Sequence, residues 1–248
     1  MATRIAILGD IHGNVAALDA ALMDIESHHP DRLMITGDLL MNGPAPAEVV
    51  ARVAALDRAG ALVIAGNTDV AVVDADYAAA FPWLDEVSPA QRAAAEWAHD
   101  QLTDAELDFV RRLPAERRLW AGTTLVLLCH ASPGSQTAGL PADLDPSTTV
   151  ERVTRTDARV IACGHTHIAE VRELGRRLIV NPGACGFSFD GDPGAGWAML
   201  TIDDAGEPDA VLHRVAYDAQ KVADAVSARG LPGDAYRAAT IRTGRFVR

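Results

Sequence analysis

The chain has 248 residues, of which 49% are hydrophobic, and its formal net charge is −12. This charge argues against loose binding to nucleic acids or anionic membranes, because both depend on basic surfaces. No apolar run is long enough to cross a bilayer, and no basic-then-apolar leader precedes the first predicted strand, so we expect a cytoplasmic protein. The cysteines, three in number and widely spaced, favour free thiols over a disulfide framework.

The first part of the chain alternates short apolar runs with helical patterns. These patterns predict strands at Arg4–Leu8, Arg32–Thr36 and Ala61–Ala65, and helices at Val15–Glu26 and Pro46–Ala59. Each predicted strand ends in a polar turn. This order predicts parallel strands joined by right-handed crossovers, and therefore an α/β fold.

The stretch from Val70 to about Arg118 breaks this rhythm and indicates a helix-rich insertion at about 70–118. Its clearer helical segments are Ala90–Gln101 and Thr103–Arg112. The insertion could pack on the sheet or form a cap over a substrate site, and both interpretations stay open. We favour packing, and we expect it in particular for Trp97.

The second half returns to short strands. The predicted elements are, in order, one or two strands in Trp120–Cys129, a loop over Ser135–Pro146, a helix over Thr148–Thr156, strands at Val160–Cys163 and Arg177–Val180, a hairpin of Trp197–Ile202 with Ala210–Val215, and a helix over Ala219–Arg229. The tail beyond Gly230 has no clear pattern.

Potential metal ligands follow five of the predicted strands. The candidates are Asp10, His12, Asp38, Asn67, His130, His165 and His167. A single histidine at a strand end usually has a structural role, but agreement among five strand ends is hard to attribute to chance. Open α/β sheets place their ligands at the carboxyl ends of the strands, so we expect these side chains to lie close together.

The ligand types restrict the metal. Imidazoles combined with carboxylates and one amide, without thiolate, suit Mn, Fe, Zn, Ni or Co better than Ca. The ligand types leave these five ions open; Mn is the one we expect. Seven side chains are too many for one tetrahedral ion and are about right for two ions that share a bridging carboxylate. Two divalent ions opposite Asp10 and Asp38 leave a net positive site, which suits a phosphate anion.

Taken together, these motifs resemble the calcineurin-like metallophosphoesterase superfamily. The motifs are Asp10-x-His12, Gly37-Asp38, Gly66-Asn67-x-Asp69, His130, Gly164-His165-x-His167 and Asn181-Pro182-Gly183. Two segments, Asn42-Gly43-Pro44 and Gly66-Asn67-Thr68-Asp69, resemble those of a small prokaryotic branch of predicted phosphodiesterases. The resemblance implies one domain over residues 1–248, built as a four-layer α-β-β-α sandwich of two mixed sheets flanked by helices.

The resemblance also implies roles for the candidate ligands. Asp10, His12 and His167 would hold a first ion, Asn67, His130 and His165 would hold a second, and Asp38 would bridge them. A metal-activated hydroxide would then attack the phosphorus of a phosphodiester or phosphomonoester.

The chain departs from the family pattern at Thr68, where many members have a histidine thought to protonate the leaving oxygen. Threonine cannot act as a general acid near neutral pH. Asp69 or a metal-bound water could substitute, and Asp69 is our predicted catalytic residue. Asn42 lies on a loop near the predicted site and is our candidate for substrate binding.

Several functions remain open at this stage. The leading prediction is hydrolysis of small-molecule or nucleotide phosphate esters, without stable binding to nucleic acid or membrane. The enzymatic alternatives are a protein phosphatase and a nuclease, and the acidic surface disfavours the nuclease. The alternative from another class is a catalytically silent scaffold or regulatory module of the same fold. The complete set of ligands favours an enzyme. The sequence leaves open the substrate, the preference for mono- or diesters, the native metal and whether the chain forms a homo-oligomer.

Overall fold

The computed structural model describes residues 2–247. Its strands are β1 (Thr3–Leu8), β2 (Arg32–Ile35), β3 (Leu62–Val63), β4 (Glu116–Ala121), β5 (Thr124–Cys129), β6 (Val160–Ala162), β7 (Ala169–Leu174), β8 (Arg177–Pro182), β9 (Ala195–Ile202) and β10 (Pro208–Val215). Its helices are α1 (Val15–Ser27), α2 (Pro46–Arg58), α3 (Asn67–Asp74), α4 (Tyr77–Ala80), α5 (Pro89–Asp100), α6 (Asp104–Arg111), α7 (Pro146–Val153), α8 (Ala219–Arg229) and α9 (Asp234–Thr243). Within this part of the chain, every helix is too short or too polar to cross a membrane.

The strands form two five-stranded sheets. The first has the order β10-β9-β1-β2-β3 and the second has the order β4-β5-β6-β8-β7. In the first sheet β1, β2 and β3 are parallel, and in the second β5, β6 and β8 are parallel. The remaining pairings are antiparallel. The prediction of an α/β fold with two mixed sheets is therefore confirmed, and so is the parallel pairing of the first three strands.

Alternation of side chains along the strands produces the layers. On β1, Ile5 and Ile7 are fully buried in the core between the two sheets, together with Val126 and Leu128 of β5. The alternate residues of β1 pack on the other face of the first sheet, in the core that contains α1 and α2. The alternate residues of β5 pack with Val153 of α7. Because successive strand residues point to opposite faces, this pattern gives the predicted helix-sheet-sheet-helix order.

The first helix begins at Val15 because Asn14 caps it. The Asn14 side-chain oxygen accepts a hydrogen bond from the Ala17 amide at 3.1 Å, which satisfies one free donor of the first turn. The Asn14 side-chain nitrogen donates to the carbonyl of Gly186 and to the hydroxyl of Tyr217, both at 3.0 Å. The cap therefore also connects the turn after β1 to distant parts of the chain.

Four helices, α3 to α6, occupy the stretch in which we predicted an insertion. Their apolar residues, including Val72, Ala94 and Val110, join the same core as α1 and α2. This arrangement agrees with the packing interpretation for most of the stretch. The assignment of residues 1–248 to one domain stays a prediction.

Two elements of the second half were not predicted. Strand β7 has charged residues at Glu170, Arg172 and Glu173, and it is tolerated because it lies at the edge of the second sheet. Helix α9 has a weak apolar pattern because Arg237, which is 7% exposed, occupies a buried position and pairs with Asp234. A buried arginine breaks the periodicity on which a helix prediction depends.

Candidate metal centre

The predicted ligands follow β1, β2, β3, β5 and β6, and most of them have an unusual backbone conformation. Positive φ values occur at Asp10 (49°), His12 (52°), Asp38 (52°), His165 (68°) and His167 (58°). Residues other than glycine rarely adopt this conformation, and its energetic cost is tolerated mainly at functional sites. Backbone hydrogen bonds hold the turns together, since the amide of His12 donates to the Asp38 carbonyl at 2.9 Å.

Two glycines allow the loops to approach the buried carboxylates. A Cβ atom on Gly66 would lie 2.1 Å from Oδ1 of Asp38, and one on Gly164 would lie 2.6 Å from Oδ2 of Asp10. Any larger residue would therefore displace a carboxylate. This requirement explains why glycine precedes the candidate ligand in both the Gly66-Asn67 and Gly164-His165 motifs.

Asp10, His12 and His167 form what we call the first cluster. The Nε2 atoms of His12 and His167 are 3.2 Å apart, and Nε2 of His167 is 3.7 Å from Oδ1 of Asp10. The Nδ1 atoms of His12 and His167 lie 3.2 Å and 2.6 Å from the carbonyls of Leu40 and Phe187. These carbonyls favour a proton on Nδ1, which leaves the Nε2 lone pairs directed at each other and at the carboxylate.

Asn67, His130 and His165 form the second cluster. Oδ1 of Asn67 lies 3.0 Å from Nε2 of His130 and 3.0 Å from Nδ1 of His165. The orientation of Asn67 follows from its Nδ2 atom, which donates to the carbonyl of Ala80 at 3.0 Å. Nδ1 of His130 lies 2.8 Å from the Thr36 carbonyl, so its Nε2 atom also presents a lone pair.

Asp38 lies between the two clusters. Its Oδ2 atom is 3.5 Å from Nε2 of His12, and its Oδ1 atom is 3.5 Å from Nε2 of His130. The amide of Thr68 donates to Oδ1 at 2.9 Å. Burial alone would raise the pKa of Asp38, but His130, His12 and His165 together with the Thr68 amide lower it to about 2. Asp38 therefore contacts a histidine of each cluster, and its role as a bridging ligand stays a prediction.

The chemistry of these atoms fits a divalent metal. One ligand atom from each of Asp10, His12, Asp38 and His167 lies within 4.8 Å of the others, and all four residues are buried. Burial lowers the pKa of His167 well below its usual value and lowers that of His165 to about 4. Neutral imidazole is the form that binds metals. Acceptor atoms that converge in this way are suited to bind a divalent cation.

Asp69 is buried, and both of its carboxylate oxygens contact the backbone. Oδ1 accepts hydrogen bonds from the amides of Leu39 and Leu40 at 2.9 and 3.1 Å, and Oδ2 accepts one from Gly66 at 2.9 Å. Burial and the neighbouring Asp38 raise its pKa to about 7. These hydrogen bonds hold the loop that follows β2 against the loop that follows β3. The predicted role of Asp69 as a proton donor stays a prediction.

Asn42 has φ of 67° and lies beside the first cluster. Its Nδ2 atom lies 3.3 Å from Nδ1 of His12; because both nitrogens are donors when the Leu40 carbonyl accepts the Nδ1 proton, this is a contact and not a hydrogen bond. The Oδ1 atom of Asn42 accepts a hydrogen bond from Nε of Arg237 at 3.2 Å. Arg229 donates to the carbonyls of Asn42 and Gly43, both at 2.8 Å. Protein groups therefore contact both ends of the Asn42 amide. Substrate binding by Asn42 stays a prediction.

The C-terminal helices α8 and α9 contribute to the site, and no motif in the sequence predicted this contribution. Arg229 in α8 and Arg237 in α9 both pair with Asp234, and together they hold the loop that carries Asn42. In the sequence, these residues look like ordinary surface charges of a helix. The only available signal was their spacing across Gly230, which is too common to identify a site.

Two of the thiols, those of Cys129 and Cys163, are buried, as predicted from their place in apolar strands. Cys129 and Cys163 belong to the core between the second sheet and α7. Burial raises the pKa of Cys163 to about 12, so the thiolate form needed for metal binding is disfavoured.

Comparison with known families agrees with the geometry. A family model described as the calcineurin-like phosphoesterase superfamily domain matches residues 3–205. The chain belongs to this superfamily. Membership indicates hydrolysis of phosphate esters as the class of reaction, and it agrees with the group of buried aspartate and histidine side chains that could hold a divalent metal.

Individual relatives are similar over nearly the whole chain. The uncharacterised protein MJ0912 of Methanocaldococcus jannaschii is 25% identical over 245 residues, covering 93% of this chain and 94% of its own. A metallophosphoesterase from Sphaerobacter thermophilus is 26% identical, with a TM-score of 0.75, covering 98% of this chain and 100% of its own. The hypothetical protein PH1004 from Pyrococcus horikoshii OT3 shares the fold, with 20% identity, a TM-score of 0.82 and 98% coverage of both chains.

Proposed function

We propose that this protein is a di-metal phosphoesterase that hydrolyses phosphomonoesters or phosphodiesters of small molecules or nucleotides. The observation that supports the proposal most strongly is the convergence of the two clusters on Asp38. Nε2 of His12 and Nε2 of His130 each lie 3.5 Å from a different oxygen of this one carboxylate. A carboxylate between two sets of neutral acceptors is the arrangement expected of a bridging ligand.

In this proposal the first cluster would hold one ion and the second cluster the other. When bound, the ions would neutralise phosphate charge and lower the pKa of water towards about 7. The chain's own contribution is to fix each ligand beforehand. The carbonyls of Leu40, Phe187, Thr36 and Ala80 hold His12, His167, His130 and Asn67 in the tautomer or orientation that presents a lone pair.

Charge supports phosphate as the anion bound. Two divalent ions and the carboxylates of Asp10 and Asp38 give a net charge of about +2 at the centre, by the formal charges of such sites. The chain as a whole has a net charge of −12, so the centre would be a local exception on an acidic protein. This contrast favours small anionic esters, which can enter the centre, over long nucleic acids, which would contact the acidic surroundings.

The test combines metal analysis with a substrate panel. The purified protein is stripped with a chelator and reconstituted separately with Mn²⁺, Zn²⁺, Fe²⁺, Ni²⁺ or Co²⁺. Hydrolysis is then measured on mono-, di- and cyclic nucleotide esters, simple alkyl phosphates and a phosphopeptide. We expect two ions per chain and turnover of small esters, with Mn²⁺ the best. Two bound ions without turnover of any ester would indicate a silent scaffold, and preference for the phosphopeptide would indicate a protein phosphatase.

A further inference from the structure

Trp83 lies next to the second cluster and is exposed to solvent. It belongs to the connection between α4 and α5, and 56% of its surface is accessible. Its ring centroid is 6.0 Å from that of His165, at an interplanar angle of 66°, and 5.8 Å from that of Phe81, which is buried. The indole therefore contacts a candidate ligand and a buried ring, while more than half of it remains available for another molecule.

The position of Trp83 is coupled to the second cluster by the backbone that precedes it. The Ala80 carbonyl accepts the hydrogen bond from Nδ2 of Asn67, so the end of α4 is attached to a candidate ligand. Asp76 caps α4 by accepting a hydrogen bond from the Ala79 amide at 3.0 Å. The same short segment therefore orients Asn67 and places an indole beside His165.

A second exposed tryptophan, Trp120, provides a comparison, because it is exposed without lying near the candidate centre. Trp120 is 65% exposed, but it lies on β4 opposite Leu125, near the start of β5. The candidate ligand His130 follows the other end of β5. Trp120 is therefore at the end of the second sheet remote from the candidate centre, and Trp83 differs from it by contacting a candidate ligand.

We propose that Trp83 is a specificity-determining residue that stacks on an aromatic ring of the ester, a nucleobase or an aryl group, while the phosphoryl group lies at the candidate metal centre. This inference rests on the proposed function and narrows its substrate class. Indole stacks on every nucleobase, because each has a π-face, and the interaction depends little on base identity. The packing interpretation of the insertion thus applies to its helices, while the connection before α5 contributes to the site.

The experiment compares pairs of substrates that differ only by the ring. Adenosine 5′-phosphate is compared with ribose 5-phosphate, and benzyl phosphate with cyclohexylmethyl phosphate; the methyl diesters replace them if only diesters are cleaved. On metal-replete protein, we expect Trp83→Ala to lower kcat/KM for the aromatic member about tenfold and to change the other member less than about twofold. Trp83→Phe should retain most of the preference, and Trp120→Ala should change neither member.

The two pairs distinguish the source of the ring. A response in the nucleotide pair alone identifies a nucleobase, and a response in both pairs identifies any aryl group. Equal losses for both members of each pair, or an unchanged ratio, would overturn the inference while leaving the proposed function intact.

Equilibrium binding separates this inference from the proposed function. Dissociation constants of adenosine 5′-phosphate and ribose 5-phosphate are measured on the same variants by calorimetry. If no ester is hydrolysed but Trp83→Ala abolishes the preference for the adenosine compound, the inference stands and the proposed function fails. If the wild-type protein binds both compounds equally, the inference is wrong regardless of turnover.

Discussion

The first and second clusters face the same carboxylate of Asp38 but differ in charge and surroundings. The first cluster has a carboxylate of its own, Asp10, and is shielded from solvent. His167 is 5% exposed, and its ring stacks on that of Phe189 with the centroids 4.2 Å apart. The second has only neutral ligands, and His165 is partly exposed beside Trp83. From this difference we expect the first cluster to bind its ion tightly. We expect the ligands of the second cluster to adjust when a substrate binds.

Substitution of Asp38 should have the largest effect on turnover, because both clusters would lose the carboxylate that they share in this proposal. Substitutions beyond the direct ligands of a metal typically cost about 10- to 100-fold, so we expect Asp38→Asn to lower turnover by more than about 100-fold. Asn retains an acceptor for the Thr68 amide, so the loop contact should survive. Metal content and turnover are measured together with Asp10→Asn and His167→Ala. If Asp38→Asn keeps two ions and near-native turnover, the bridging role is wrong.

The unequal charge of the clusters should appear as unequal metal affinity. A graded chelator titration should remove one ion well before the other. Asn67→Asp adds a carboxylate to the second cluster, and ligand charge is a main determinant of affinity. It also places an acceptor opposite the Ala80 carbonyl in place of the Nδ2 donor, so we expect the weaker ion to bind more tightly by less than about tenfold. Asp10→Asn is the matched converse and should weaken the tighter ion instead. Simultaneous loss of both ions in the wild type and in both variants would contradict the comparison.

The candidate ligands could be predicted because short sequence motifs contain them, whereas the residues around them could not. Asp10, His12, His165 and His167 each follow an apolar strand within a short motif, so the sequence predicts both the residues and the edge of the sheet where they meet. The surroundings are encoded by distant contacts. The hydrogen bond from Arg229 to the Asn42 carbonyl spans 187 positions and leaves no periodic signal in either segment.

The elements of the fold that were not predicted also depend on distant or buried polar contacts. Strand β3 has two residues rather than the predicted five, because the chain leaves the first sheet where the Ala65 amide bonds to the Pro114 carbonyl. That contact depends on the end of the helical stretch and is not visible locally. Helix α9 was missed because its buried face contains an ion pair, Asp234 with Arg237, where a sequence pattern requires apolar residues.

The C-terminal helices offer a way to perturb the first cluster alone. Arg229→Lys removes the paired hydrogen bonds to the carbonyls of Asn42 and Gly43, since a lysine cannot reproduce the guanidinium fork. We expect several-fold weaker binding of the tighter ion, because Asn42 contacts His12, and little change in the weaker one. Arg177→Lys is the control. Arg177 is the first residue of β8, and it also donates to a backbone carbonyl, that of Thr156. Equal changes in the two variants would assign the effect to general stability.

The smallest expected effect concerns Thr68, which follows Asn67 and contacts Asp38 through its amide. Without an imidazole at this position, we expect turnover to depend strongly on the leaving group, because a basic alkyl oxygen needs protonation and a nitrophenolate does not. Thr68→His should therefore raise the rate for alkyl esters relative to nitrophenyl esters. The absolute gain should be small, since Thr68 is buried and a misplaced acid contributes little.

The ratio of the two rates is measured at unchanged metal content, with Thr68→Gln as a control of similar size that does not titrate. An equal ratio in both variants and the wild type would mean that the site already has a donor. Asp69→Asn is then tested with thermal unfolding and metal content as controls, because the carboxyl of Asp69, whose pKa is raised to about 7 by burial and by Asp38, also accepts backbone hydrogen bonds that an amide NH₂ group would lose.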